Sequence, residues 1–257
     1  MSIGHQGRQA IRYPPGRKII VASAAGTFMK LLPYAIAVTL ALATALRAAD
    51  PAPAKTYRIM PVGDSITEGG KTFSNYRLPL LEKLTAAGYH IQYVGSRTSD
   101  SPRGPLPHEA YSGKTAEFLA TAAPKSFRDH PADIVLIHAG HNHFAEEKPV
   151  EKIIAAHESM IRAFREINPH VIILIAQVIP SGKLPKYSYI PALNESLAKL
   201  ATRLNTPQSP IILVNQAENF DPDNDTIQDK VHPNKSGAEK MASKWFDALA
   251  KVLEKQK

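Results

Sequence analysis

The stretch that decides the fold is YRIMPVGDSITEG, which runs from Tyr57 to Gly69. Its first half is a short apolar run that ends at a turn signal, a pattern typical of a buried strand. Gly63, Asp64 and Ser65 follow at the carboxyl end of that strand. Because open α/β sheets bind ligands beyond the carboxyl ends of their strands, Ser65 stands where a functional group is expected.

The rest of the chain alternates between apolar runs of strand length and segments with helical periodicity. Strands are predicted at Tyr57–Val62, Ile91–Val94, Ile134–His138, Val171–Ala176 and Ile211–Val214. Helices are predicted at Tyr76–Ala87, Ala116–Phe127, Pro149–Ile167, Ile190–Leu204 and Asn234–Leu253. This alternation indicates parallel strands joined by helical crossovers, with helices on both faces of the sheet. The sequence therefore predicts an α/β fold around a five-stranded parallel sheet.

Polar residues with recognisable chemical uses follow the later strands. Asn142 comes after the third strand, and Asp229 and His232 come after the fifth. A serine hydroxyl becomes a good nucleophile when a neighbouring histidine takes its proton. A carboxylate on the far ring nitrogen holds that histidine in the correct tautomer. Because Asp229 lies three residues before His232, one short turn can present both side chains.

Gly95 follows the second strand. With Ser65, Asn142 and His232 it gives four strand-end groups, which resemble the blocks of the SGNH (GDSL-type) hydrolases that contribute Ser, Gly, Asn and His in this order. The resemblance runs from about Tyr57 to Leu253. It implies a flavodoxin-like three-layer α/β/α sandwich with strand order 2-1-3-4-5.

The same resemblance implies a role for each residue. Ser65 would be the nucleophile, His232 its base and Asp229 the charge partner of the histidine. The backbone N–H groups of Ser65 and Gly95, with the side-chain amide of Asn142, would form the oxyanion hole. Other readings are that Ser65 caps a helix, that Gly95 serves a turn, that Asn142 closes a loop and that Asp229 and His232 are surface charges.

The third block departs from the family pattern, because His143 follows Asn142 where the family usually has aspartate. The loop bonds that this aspartate would make are therefore not expected here, whereas the amide donor of Asn142 is unaffected. The residues predicted to line the substrate pocket are His108, Tyr111, His141 and His143.

Within the SGNH group the sequence is most similar to carbohydrate esterases of the bacterial acetyl xylan esterase type. The similar segments are Ile59–Ser65, Asn75–Arg77, Tyr93–Ser96 and His108–Gly113. Lys114 stands where an aromatic residue is expected, and Tyr76 and Arg77 can also be read as plain core and surface residues. The likeness implies a serine ester hydrolase that removes short acyl groups such as acetyl from a carbohydrate.

Two other functions remain open at this point. A lysophospholipase or thioesterase would use the same triad but would need an apolar groove for its acyl chain. A non-catalytic glycan-binding protein on a hydrolase fold would need no triad, and the complete triad argues against it.

The basic excess of the chain lies in its first 49 residues. The 257 residues carry a formal net charge of +8, and the first 49 contain six basic residues and no acidic one. The remainder carries a net charge of +2, so the body is nearly neutral and a nucleic-acid partner is not expected.

The basic segment reads as an export signal. Lys30 precedes a short apolar run, Leu31–Leu46, and small residues follow it. An uncleaved membrane anchor is the alternative, although the run is shorter than the roughly 20 residues that span a bilayer. We expect translation to begin at Met29 and cleavage to fall within Ala45–Ala49.

These observations predict a leader at 1–49, a linker at 50–56 and a single hydrolase domain at 57–257. The protein is expected to be secreted or periplasmic, with an acylated carbohydrate as its substrate and no stable membrane association after cleavage. The oligomeric state is left open.

Several other chemistries find no support in the sequence. The absence of cysteine excludes disulfides and thiol catalysis. There is no complete P-loop and no Gly-x-Ser-x-Gly elbow. His138, His141 and His143 could in principle bind zinc, but alternation along an extended chain would place His138 away from the other two. We therefore predict no metal and no cofactor.

Overall fold

The computed structural model describes residues 55–254. The predicted leader, its cleavage site and most of the linker lie outside the described residues. Within the described range, no helix combines the length and the apolar character needed to cross a bilayer.

The described residues form seven strands and seven α-helices. The strands are β1 (Tyr57–Gly63), β2 (Ile91–Tyr93), β3 (Arg97–Ser99), β4 (Leu106–Ala110), β5 (Ile134–His138), β6 (Ile172–Gln177) and β7 (Ile211–Asn215). The helices are α1 (Ser65–Glu68), α2 (Arg77–Ala86), α3 (Ala116–Asp129), α4 (Val150–Ile167), α5 (Ile190–Leu204), α6 (Pro222–Asp225) and α7 (Lys235–Glu254). A 3₁₀ turn at Ala145–Glu147 precedes α4.

Five parallel strands lie in the order β2-β1-β5-β6-β7. This is the predicted order 2-1-3-4-5, and the α/β sandwich is confirmed. All five carboxyl ends therefore meet at one edge of the sheet, which is where the predicted site residues follow their strands.

The sheet has two strands more than predicted. β3 and β4 form an antiparallel hairpin, and β4 runs parallel to the end of β1 with Val62 opposite Glu109. The apolar pattern missed β4 because His108 and Glu109 interrupt it. Both side chains are nevertheless fully buried, because hydrogen bonds from within the protein satisfy their polar atoms.

The two faces of the sheet build two apolar clusters, which makes the three layers. Along β5, Val135 and Ile137 face the cluster formed with α3, α4 and α5, whereas Ile134 and Leu136 face the cluster formed with α2 and α7. The strand is buried on both sides, so its apolar run is continuous, as expected for a central parallel strand.

Arg77 at the start of α2 is fully buried, so its reading as a surface residue is wrong. Its guanidinium donates hydrogen bonds of 2.8 Å to the backbone carbonyls of Thr67, Glu68 and Leu106. These carbonyls belong to the end of α1 and the start of β4. Arg77 thus ties the helix that carries Ser65 to the additional hairpin.

Candidate active site

Ser65 lies at a sharp turn between β1 and α1. Asp64 caps the short helix, its Oδ1 accepting a hydrogen bond of 3.0 Å from the N–H of Ile66. A Cβ at Gly63 would lie 2.3 Å from Thr67 Oγ1 and 2.5 Å from the carbonyl oxygen of His138. Only glycine fits there, and the close packing fixes where the next residues turn.

Asp229 and His232 come from the loop before α7. The Oδ1 atom of Asp229 accepts hydrogen bonds of 2.9 Å from the backbone N–H groups of Val231 and His232. Its Oδ2 atom lies 2.5 Å from Nδ1 of His232. As predicted from the three-residue spacing, one turn presents both side chains, and the carboxylate fixes the orientation of the imidazole.

The loop brings His232 to the serine. Nε2 of His232 lies 2.8 Å from Oγ of Ser65, across 167 residues of sequence. With Nδ1 donating to Asp229, Nε2 is left to accept the serine proton. Ser65, His232 and Asp229 therefore form one hydrogen-bonded chain, and neither a capping role nor a surface-charge role accounts for it.

Partial burial raises the pKa of Asp229, but hydrogen bonds from the His232 ring and from the N–H groups of His232 and Val231 outweigh it. The net effect holds the pKa of Asp229 below its usual range. The carboxylate is therefore ionised at neutral pH, as an orienting partner for a histidine base must be.

Phe73 lies against His232, a contact that the sequence pattern does not predict. Its ring stacks on that of His232, with centroids 4.2 Å apart and planes 26° apart. The backbone N–H of the next residue, Ser74, donates to the carbonyl of Pro233 at 3.0 Å. An apolar residue within a polar loop carries no periodic signal, so only the fold shows that Phe73 covers the histidine.

Gly95 and Asn142 follow β2 and β5 at the same edge. Gly95 has φ +150°, and a Cβ there would lie 2.3 Å from the backbone carbonyl of His108. Nδ2 of Asn142 donates to the carbonyl oxygen of Lys114 at 2.9 Å. This bond reaches a loop 28 residues away, so Asn142 does more than close its own loop, and its second amide hydrogen is available to another acceptor.

Three of the four predicted pocket residues are almost wholly buried. His108, His141 and His143 are 0%, 2% and 2% exposed. His108 contacts Ser99 Oγ and the N–H of Ala110 through its two nitrogens, at 3.0 and 3.1 Å. His141 Nε2 donates to the carbonyl of Ile179 at 2.9 Å. The geometry favours structural roles for these two histidines.

The burial of these histidines also sets their charge. Burial lowers the pKa of His108 to about 3, with the nearby Arg77 acting in the same direction. Burial likewise lowers the pKa of His141 to about 4. Both rings are therefore neutral at physiological pH and do not repel a positive charge that develops on His232.

His143 replaces the expected aspartate and lies between two carboxylates. Its Nε2 atom is 3.1 Å from Glu117 Oε2 on α3, and its Nδ1 atom is 3.6 Å from Glu147 Oε2 on the 3₁₀ turn. Each ring nitrogen of His143 therefore has a carboxylate within ion-pair distance. Tyr111 is the one predicted pocket residue with substantial exposed surface, and its substrate contact stays a prediction.

The expectation that His138 lies away from His141 is wrong. The rings of His138 and His141 stack with centroids 5.6 Å apart. The chain leaves its extended conformation after β5 and turns at Gly140, so alternation no longer applies. Within residues 55–254, no three His, Asp or Glu side chains are grouped so that they could hold a metal ion.

Ser65, His232 and Asp229 are thus hydrogen-bonded in sequence at the carboxyl edge of an α/β/α sandwich, an arrangement that suits an ester hydrolase of SGNH type. The sequence matches the GDSL-like lipase/acylhydrolase family over residues 62–240. The chain belongs to this family. A comparison with curated protein sequences gives no match.

Solved structures of carbohydrate esterases are similar to the whole described domain. A family 3 carbohydrate esterase from Clostridium thermocellum is 27% identical, with a TM-score of 0.69, over 79% of this chain and 99% of that one. One from Talaromyces cellulolyticus is 26% identical, with a TM-score of 0.69, over 77% and 99%. A serine-to-alanine mutant of an acetyl esterase, solved with an acetate ion, is 25% identical, with a TM-score of 0.70, over 78% and 100%.

The burial of Asp64 beneath the site gives a pH-dependent prediction. Burial raises the pKa of Asp64 to about 6, although the Ile66 N–H bond and the nearby His232 act against it. The folded state therefore binds the proton more tightly than the unfolded chain does. This contribution to stability is complete below about pH 4 and is lost as the pH rises through 6.

We expect a ¹³C titration of the Asp64 carboxyl to give an apparent pKa near 6. The free energy of unfolding should contain a matching decline between pH 4 and 6, on the order of 3 kcal/mol. Asp64→Asn, which keeps the capping oxygen, should remove that decline. A titration near pH 4 would contradict the prediction.

Proposed function

We propose that this protein is a serine ester hydrolase that removes short acyl groups, acetyl in particular, from a carbohydrate. The observation that carries the mechanism is the hydrogen-bonded chain from Ser65 Oγ through His232 to Asp229, with distances of 2.8 and 2.5 Å. No step of this mechanism requires a cation.

In the proposed reaction His232 takes the proton of Ser65 as Oγ attacks the acyl carbon. The positive charge that forms on the imidazole is stabilised by Asp229. The ester C–O bond then breaks, His232 gives the proton to the departing sugar oxygen, and the acyl group stays on Ser65 until water, deprotonated by His232, attacks it and releases the acid. Phe73 shields one face of the imidazole while both nitrogens remain in their bonds.

The negative charge on the carbonyl oxygen needs preorganised donors. Ser65 is the first residue of α1, where backbone N–H groups have no acceptor within the helix. We assign this N–H, that of Gly95 and the side-chain amide of Asn142 to the oxyanion hole. The Asn142–Lys114 bond fixes the amide and so removes reorganisation from the reaction.

The substrate class is supported by the carbohydrate esterases whose structures are similar to this one over nearly their full length. The surrounding loops are largely polar, which suits directional hydrogen bonds to sugars. We also propose that the protein is exported, because the leader has the pattern of a secretory signal.

A lysophospholipase or thioesterase is the second candidate. Leu184 and Phe144 are 67% and 51% exposed on loops that follow β6 and β5. Apolar side chains at this edge would suit a longer acyl chain. The acyl-length comparison below distinguishes the two functions.

Replacing the nucleophile tests the mechanism. We expect Ser65→Ala to lower kcat/KM for a phenyl acetate by at least about 10⁴-fold, with an unchanged unfolding transition. An organophosphonate should label the wild type at Ser65. Ser243→Ala, a serine on the distant face of α7, should retain full activity. Labelling at another residue would overturn the assignment.

Removing the amide tests the oxyanion hole. Asn142→Ala and Asn142→Asp should each lower kcat by about 10²–10³-fold with little change in KM, because the donor acts mainly in the transition state. Asn224→Ala on α6 is the matched control. A loss confined to KM would assign Asn142 to substrate binding instead.

Acyl length tests the substrate class. We expect kcat/KM to fall from acetate to butyrate to octanoate esters, and acetate to be released from an acetylated xylo-oligosaccharide. The measurement is steady-state hydrolysis of each ester under one condition. Efficiency that rises to octanoate, with no acetate released from the sugar, would favour the lysophospholipase.

A further inference from the structure

Two exposed aromatic rings flank the loop of Asn142, and a lysine lies over each. Phe118 is 38% exposed, with the Nζ atom of Lys114 5.2 Å from its ring centroid. Phe144 is 51% exposed, with Nζ of Lys186 at 4.3 Å. Leu184 is the other large apolar side chain that is exposed in the described part of the chain.

Both lysine–phenylalanine pairs are tied to the proposed oxyanion loop. The carbonyl of Lys114 accepts the Asn142 amide at 2.9 Å. The carbonyl of Lys186 accepts the N–H of Ala145 at 3.0 Å, three residues after Asn142. The two ammonium groups therefore belong to loops that border the site, on either side of the same segment.

Neither ammonium forms an ion pair within residues 55–254. Two nearby carboxylates pair with other cations: Glu147 with Lys152 and Glu68 with Arg97. Glu117 lies 3.1 Å from His143 Nε2 and forms no ion pair with either lysine. Glu146, on the same 3₁₀ turn as Glu147, is exposed and reaches neither lysine in an ion pair. In the described part of the chain, the ammonium groups of Lys114 and Lys186 are thus not taken up by salt bridges, and each can pair with an anion from outside the protein.

A cation beside an exposed apolar ring matches the chemistry of an acidic sugar. The C–H face of a pyranose packs on an aromatic ring, and a uronic carboxylate is a partner for an ammonium. A lipid is the poorer match, because an ammonium group lies over each of the two rings.

We propose that the substrate is an acylated carbohydrate that carries carboxylates, as in a chain of uronic acids, and that Lys114 and Lys186 bind those carboxylates. This inference rests on the proposed esterase function and narrows its substrate class. The lysines supply ground-state binding, so their contribution appears in KM and decreases with salt.

The test uses the full chain with two acetylated oligosaccharides of equal length, one of galacturonic acid and one of xylose. An exposed ion pair contributes about two- to five-fold in binding, so two give a preference of about ten-fold for the acidic substrate. The double variant Lys114→Met/Lys186→Met, which keeps the aliphatic stems over the rings, should reduce that preference about ten-fold through KM. Salt at 1 M, where the screening length is about 3 Å, should do the same to the wild type.

Lys125→Met/Lys199→Met is the matched control. It removes the same charge from exposed positions on α3 and α5, and it should leave the preference unchanged. An equal preference for the neutral sugar in the wild type, or an equal loss in the control, would overturn the inference. Binding to vesicles of anionic phospholipid that the Lys114/Lys186 variant loses would overturn it in favour of a lipid surface.

A separate assay keeps the two proposals distinguishable. Phenyl acetate hydrolysis that is lost in Ser65→Ala supports the esterase whatever the sugar preference is. Failure of that hydrolysis refutes the proposed function and this inference together, whereas hydrolysis without an acidic preference refutes the inference alone.

Discussion

The closeness of β1, α1 and β5 at Gly63 is the constraint on which the site depends. Any side chain there would meet Thr67 and the His138 carbonyl at 2.3–2.5 Å. The missing Cβ lets the chain turn at once, so Ser65 leaves the strand at the edge of the sheet. β1 is a central strand, paired with β2, β4 and β5.

The second feature of this edge of the sheet is a pair of buried histidines that carry no charge at neutral pH. His108 and His141 are neutral because burial lowers the pKa of each, and hydrogen bonds still satisfy part of their polar surface. Asp64, which is buried next to Ser65, is the exception, because a pKa of about 6 leaves it largely ionised at neutral pH. At neutral pH these two histidines therefore place no positive charge near Asp229 and His232.

The loops that border this edge carry residues that differ from the pattern expected for the family. His143 stands between two glutamates where the family has aspartate, and Lys114 stands where an aromatic residue was expected. Phe118, four residues after Lys114 in the sequence, has its ring beneath the Lys114 ammonium. The arrangement of Ser65, His232 and Asp229 thus keeps the pattern that the SGNH resemblance predicts, while the residues at the border differ from it.

The sequence by itself determined the sandwich, the order of the five parallel strands and the meeting of Ser65, Asp229 and His232. The alternation of strands and helices follows from local apolar periodicity, and the common edge follows from the rule for parallel strand ends. The strand order and the grouping of the three residues follow from the resemblance to the SGNH hydrolases. Only the tertiary structure decided that β4 joins the sheet, that Arg77 and His108 are buried and that Phe73 covers His232. The physical reason is that a polar side chain becomes a core residue only when distant backbone groups satisfy its hydrogen bonds, and no local pattern records those partners.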